Sequence, residues 1–221
     1  MKINYWQTFN EKAYYHIYNR SVGQTSLFLS HGNYQFFMQK WQLYLSNYLD
    51  TYAYCLMSNH FHFVVKVKTV DENFKNFVKI EHTVASQAFL DEKITLDVFL
   101  EDQFKRFLSS YAKSFNKQHN RHGSLIEKRF KRIELKRSEQ VLEKIAYVHH
   151  NPLHHSLSPR YEDWHFSSYA TYVSIKPTKL KRSEGFGLFG GKESFVDYHN
   201  EFHIHWIKYR GKRSFGDEMD L

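Results

Sequence analysis

Two histidines one residue apart, His60 and His62, sit in the run YCLMSNHFHFVVKV (54–67), which is otherwise built like a buried strand. In an extended chain successive side chains face opposite ways. His60, His62, Val64 and Lys66 therefore share one face, and Phe61, Phe63, Val65 and Val67 share the other. Same-face neighbours on a strand lie about 7 Å apart, so two imidazole nitrogens can converge on one cation. Two alternating histidines on a solvated sheet surface would leave the same pattern, and a metal centre needs a third ligand and a reacting partner.

The run AYVHHNP (146–152) offers both. Tyr147 and Asn151 are four residues apart, which puts them on one helix face, roughly 6 Å apart along the axis. Asparagine supplies a neutral carbonyl oxygen suited to a hard divalent ion, and tyrosine a phenolic nucleophile. Taken alone, Tyr147 reads better as an amphipathic tyrosine at the edge of a core, its hydroxyl on a backbone partner. His149 and His150 fall off that face. Tyr111, in FLSSYAKSFNKQ, is the rival nucleophile; its nearest amide, Asn116, is five residues on and turns away from it.

Residues 13–20 read as a strand, and Asn33 as the cap of a helix carrying Phe36, Phe37, Trp41, Tyr44, Leu45 and Tyr48 at helical spacing. Residues 51–57 and 60–67 form a hairpin around Ser58-Asn59. One or two short helices are expected in 71–98, and a helix over 99–118 with Phe99, Leu100, Phe104, Phe107, Leu108, Tyr111 and Phe115 along one face. After the turn 119–124, residues 125–135 read as a strand or extended arm. A helix opens at Ser138, with Glu139 and Gln140 in its first turn, and is expected to end near Asn151 because Pro152 disfavours helical geometry before it. Residues 161–172 read as irregular. The tail from 173 is Lys/Gly-rich, then amphipathic, with KYRGKR (208–213) near its end. This order fits an α+β fold: an antiparallel sheet with helices on one face.

The chain has 221 residues and a net charge of +8, from 31 Lys and Arg against 23 Asp and Glu. Its 18% aromatic content supplies ring faces for unpaired bases as the cations supply partners for phosphates, so a nucleic-acid partner is expected. A hydrophobic fraction of 42% with only three prolines excludes a disordered chain. Cys55 is the single cysteine, which excludes an internal disulfide and a thiolate zinc cluster. The N-terminal residues lack the apolar stretch of a signal peptide and no run is long enough for a membrane span, so a cytoplasmic protein is expected.

Together, YAYCLMSNHFHFVVKV, NRHGSLIEKRFKR, AYVHHNPLHHSL and WHFSSY resemble the single-tyrosine HUH transposases, and among them most the REP-associated tyrosine transposases. The resemblance spans about residues 13–172, with the motifs in the family's order. It implies a ferredoxin-like palm with the HUH motif on a central strand, His60 and His62 as metal ligands, Asn151 completing the metal site, and Tyr147 as nucleophile. It implies cleavage and transfer of single-stranded or hairpin DNA through a 5′-phosphotyrosine. Residues 1–172 would be the catalytic domain and 173–221 an extension outside the pattern. Two departures stand out: MSNH where the family often has MPNH, and NPLHHSL where NPVKHGL is commoner, so that His154 replaces a Lys and Ser156 a Gly.

Two imidazoles and an amide oxygen suit Mg²⁺ or Mn²⁺, and Zn²⁺ would also accept the imidazoles. One tyrosine per chain makes a homodimer the expected way to handle two strand ends. From Arg121 to Arg137 seven Lys and Arg face two acids, with Phe130 among them. Arg121, Lys128, Arg129, Lys131 and Arg132 are thus the candidate DNA contacts, although a solvated charged edge would read the same way. A non-catalytic or domesticated nucleic-acid-binding protein of the same fold, and a histidine-rich hydrolase acting on something else, are the competing readings.

Overall fold

The structure, a computed structural model, describes residues 4–209. Four strands, β1 (Tyr14–Arg20), β2 (Leu49–Leu56), β3 (His60–Val67) and β4 (Lys131–Leu135), form one antiparallel sheet in the order β2-β3-β1-β4. This is the ferredoxin-like arrangement, with the histidine strand in the centre. Register puts His62 opposite Tyr18 on β1 and Cys55 on β2, and His60 opposite Arg20.

Helices α1 (His31–Leu45) and α4 (Leu96–Gln118) pack against each other and cover one face of the sheet. The alternation in β3 dictates the contact: Phe61 and Phe63 point into this layer, where Phe63 stacks on Trp41 with ring centroids 3.6 Å apart. Fully burying a side chain of this size contributes about 1.5–3 kcal/mol of transfer free energy. Asn33 is not the cap of α1 but its third residue; Oδ1 accepts from the Leu29 and Ser30 amides, closing the start of the helix from inside. Two short helices, α2 (Glu72–Glu81) and α3 (Val84–Leu90), fill the stretch before α4.

The other face is not open, as one-sided helices would leave it. Helix α5 (Ser138–His154) lies across β2, β3 and β4, burying Val141, Ile145 and Val148 against Ala53, Cys55, Val64 and Leu135. The apolar members of the histidine face make this docking favourable, and it carries Tyr147 and Asn151 onto the strand below. Gln140 Oε1 accepts from the Lys136 and Arg137 amides at the start of α5.

Helix α5 also runs past its expected end, through Pro152 to His154. Proline removes a single amide donor, and in the final turn the next bond, from the His155 amide to the Asn151 carbonyl, is still made. Two residues beyond, Ser156 adopts φ +55°, the left-handed geometry in which glycine is free and other residues are strained. Ser156→Gly is expected to raise stability by about 0.5–1 kcal/mol, read as a higher urea midpoint at unchanged slope.

Residues 161–172, read as irregular, hold a 3₁₀ turn at Tyr161–Asp163 and the start of the short helix α6 (Tyr169–Val173). The tail forms α7 (Arg182–Phe189) and α8 (Lys192–Tyr209), which pack on α5 around Phe195. Of KYRGKR, the part from Arg210 onward lies outside the described residues. No helix among the described residues is long and apolar enough to cross a membrane.

Candidate functional site

Where α5 crosses β3, the Tyr147 ring stands edge-on to His62, centroids 5.8 Å apart at 88°, and to His16 of β1 at 6.1 Å and 84°. His60 lies beside His62 with centroids 5.1 Å apart. One turn after Tyr147, the Asn151 side chain turns back so that Nδ2 donates to the Tyr147 carbonyl at 2.8 Å. That bond fixes which end of the amide is spent. Asn151 Oδ1 is buried and has no hydrogen-bond partner among the described residues, and the same holds for His62 Nε2.

Unsatisfied buried polar atoms are costly and rare. Here two of them belong to residues that could hold a divalent ion. His62 Nδ1 is engaged by His16 Nε2 at 3.0 Å, and His60 Nδ1 by Asn59 Oδ1 at 2.7 Å. Partners at Nδ1 orient each ring with Nε2 as the nitrogen for a ligand, the second-layer arrangement common around metals. Burial, reinforced by His60, His16, Lys144 and His155, holds His62 well below the usual histidine range; burial and Lys144 do the same for His16. Both are neutral at pH 7, as ligation requires. Among the described residues no group of three or more His, Cys, Asp or Glu is disposed to hold a metal, so the candidate set is two imidazoles and an amide. Those residue types fit Mg²⁺ or Mn²⁺.

Lys144, one turn before Tyr147, places Nζ 4.6 Å from the phenol ring centroid. Burial pulls its ammonium down to about 8, with Glu143 opposing the shift. A cleft of about 320 Å³ opens over the imidazoles, walled in part by Tyr18, Arg20, Lys131 and His155.

The rival tyrosine is in the wrong layer. Tyr111 is fully buried between α1 and α4, its hydroxyl donates to the Leu27 carbonyl, and burial pushes its pKa far up. It has no route to the imidazole face.

The candidate DNA contacts divide. Lys128 and Arg129 are exposed, and Lys131 borders the cleft. Arg121 closes the turn after α4, donating to Asn116 Oδ1 and the Ser124 carbonyl, each at 3.0 Å. Arg132 is a correction: it is 2% exposed, pairing with Asp97 at 3.0 Å and Glu101 at 2.8 Å. In β4, Lys131, Ile133 and Leu135 face the imidazole layer, so Arg132 must face α4, opposite Ile17. It is a structural residue rather than a DNA contact.

His149 and His150 are off the Tyr147 face, as their positions require. His149 bridges His199 of α8 at 2.8 Å and Ser168 Oγ at 2.7 Å, and His150 pairs with His203 at 2.9 Å. These contacts anchor α8, whose Trp206 ring lies 6.3 Å from that of Tyr147. His154, in the place of the commoner Lys, packs its ring 4.8 Å from Trp206. Site residues missed in the sequence are His16, Tyr18, Lys144 and Trp206. Period-two parity with Tyr14 would have found the first two; nothing in the sequence flags Trp206.

An antiparallel ferredoxin-like palm, with two same-face histidines on a central strand and a tyrosine helix laid over them, is the architecture that the motif resemblance to single-tyrosine HUH transposases implies. Comparison with known proteins bears that resemblance out. Over 122 residues the chain is 23% identical to a Haemophilus influenzae protein provisionally described as a REP-associated tyrosine transposase; the match covers 54% of this chain and 58% of that one. The chain thus spans less than two thirds of that relative's length. The solved structure of a REP-associated tyrosine transposase bound to a REP hairpin has the same fold, with a TM-score of 0.54 at 13% identity, over 80% of this chain and 89% of that chain. No family model matches.

Proposed function

We propose that this chain cleaves and rejoins single-stranded DNA beside a hairpin, with Tyr147 as nucleophile and His60, His62 and Asn151 as ligands for a divalent ion. The observation that carries this is the delivery of Tyr147 by α5 to within 5.8 Å, ring to ring, of His62 on the sheet. Similarity to a protein whose structure holds a REP hairpin supports the choice of DNA.

In cleavage, Tyr147 Oη attacks the scissile phosphorus, its proton passes to water, and the P–O3′ bond breaks. The departing 3′-oxygen takes up a proton, and the downstream strand stays on the protein as a 5′-phosphotyrosine. An incoming 3′-hydroxyl reverses the step and frees the tyrosine. One phosphoester replaces another each time, so no ATP is consumed. Phenol is a weak nucleophile at neutral pH, and the Lys144 ammonium beside the ring favours the phenolate. When bound, Mg²⁺ or Mn²⁺ would polarise the phosphate oxygens and offset their developing charge. Lys128, Arg129 and Lys131 supply phosphate contacts. Two copies of the chain would serve two strand ends.

Cleavage of a labelled hairpin with a single-stranded flank tests this. Mn²⁺ or Mg²⁺ is expected to support cleavage and EDTA to abolish it. His62→Ala and Asn151→Ala should each cost about 100-fold or more, since even residues that only orient ligands cost 10–100-fold. Tight binding of the hairpin with no cleavage under any of these metals would put the non-catalytic DNA-binding reading in its place.

A further inference from the structure

We infer that single-stranded DNA reaches the candidate centre along a ladder of alternating rings and cations formed by Tyr18, Lys131, Tyr5, Trp6 and Arg129. The inference rests on the strand-transfer reading above and adds the route by which the strand travels. Lys131 Nζ lies 5.5 Å from the ring centroids of both Tyr18 and Tyr5. Tyr5 meets Trp6 edge to face at 6.4 Å, and the Arg129 guanidinium lies 4.9 Å over the Trp6 ring. The five side chains make one unbroken line of contacts, and its inner end, Tyr18 and Lys131, lines the cleft over His60 and His62.

Backbone bonds hold the line in place. The Arg132 amide donates to the Tyr5 carbonyl at 2.7 Å, and Trp6 bridges to Arg132 in parallel, so the N-terminal arm rides along β4. Arg132 is itself pinned by Asp97 and Glu101. The backbone of Tyr5 and Trp6 is thereby held beside β4 before any ligand arrives.

Tyr18 gives an independent sign of what the line binds. It is 5% exposed, and its buried hydroxyl has no hydrogen-bond partner among the described residues. A tyrosine hydroxyl is a hydrogen-bond donor, so this one is a donor without an acceptor in the lining of the cleft. A phosphate oxygen answers that need. At the outer end Trp6 keeps 41% of its surface in solvent, a large indole that packing does not require to be there. Alternating cations and rings match the alternating phosphates and unpaired bases of a single strand. A duplex offers no ring faces, because its bases stack on one another.

The test compares one hairpin with a 5′ tail, a 3′ tail or no tail, by fluorescence anisotropy in EDTA so that no strand is cut. Trp6→Ala should weaken binding of a tailed probe about ten-fold, and of the blunt hairpin less than about two-fold, given the usual worth of one base stacked on a ring. Tyr18→Phe, which removes only the hydroxyl, should show the same tail dependence at about five-fold, the cost of one hydrogen bond. Arg129→Gln should lower the salt slope on tailed probes by about one. Equal losses on all three probes, or none on any, would overturn the ladder. The readout is independent of chemistry. Tail-dependent losses in a chain that never forms a DNA adduct would sink the strand-transfer reading alone, and an adduct with tail-blind variants would sink the ladder alone.

Discussion

Tyr147→Phe lowers strand cleavage by about 10⁴-fold or more, the scale set by removing a covalent nucleophile elsewhere, and leaves the protein folded. The two halves of this expectation have separate causes. The phenyl ring that remains still stands edge-on to His16 and His62 and beside Trp206, so the packing of α5 on the sheet is kept. The hydroxyl is the only atom lost, and it is the atom proposed to attack phosphorus. Tyr111→Phe serves as the comparison. Its hydroxyl is tied to the Leu27 carbonyl in the opposite layer, so cleavage should survive there while stability falls by about 1 kcal/mol for the lost bond. Initial rates on labelled hairpin DNA and thermal melts of both variants check the pair. Loss of cleavage in Tyr111→Phe with Tyr147→Phe active would reverse the assignment.

Arg132→Ala is expected to cost about 3 kcal/mol of folding stability, near the lower end for breaking a buried ion pair. The guanidinium connects three parts of the fold. It pairs with Asp97 in the first turn of α4 and with Glu101 one turn on, and its Nε donates to the Gln7 carbonyl of the N-terminal arm. It also packs over Phe9 at 4.5 Å and Phe130 at 5.4 Å. Asp97 has a second duty, accepting from the Phe9 amide at 2.7 Å. Removing the arginine strands that carboxylate near other acids and loosens the arm, the sheet edge and α4 together. Both carboxylates retain some water, which holds the cost below the upper range. Urea unfolding followed by circular dichroism reads it. A loss under about 1 kcal/mol, accompanied by weaker DNA binding, would return Arg132 to the DNA surface.

The parts of the site that follow strict periods were legible in the sequence. Two-residue alternation in β3 put His60 and His62 on one face and the phenylalanines in the core, and the four-residue step paired Tyr147 with Asn151. Arg132 looks like a DNA contact only while 125–135 is one continuous arm, which hides its parity. Only Lys131–Leu135 is strand, and counting from there sends Arg132 inward. Pro152 does not mark the end of α5, because one proline in a final turn costs a single bond. His16 was in plain view on β1, but its meaning depends on the register that sets β1 beside β3. The partners of His149 and His150 were beyond reach, since His199 and His203 lie about fifty residues away and meet them only through tertiary packing of α8.

The most direct test of the central claim is covalent capture. Hairpin DNA labelled downstream of the cleavage position is incubated with the chain and Mn²⁺ or Mg²⁺, denatured, digested with protease, and the labelled peptide sequenced by mass spectrometry. The account predicts one DNA-bearing peptide, with the phosphoester on Tyr147, absent in EDTA. A label on Tyr111 or any other residue, or cleavage that never passes through a protein-bound strand, would contradict it.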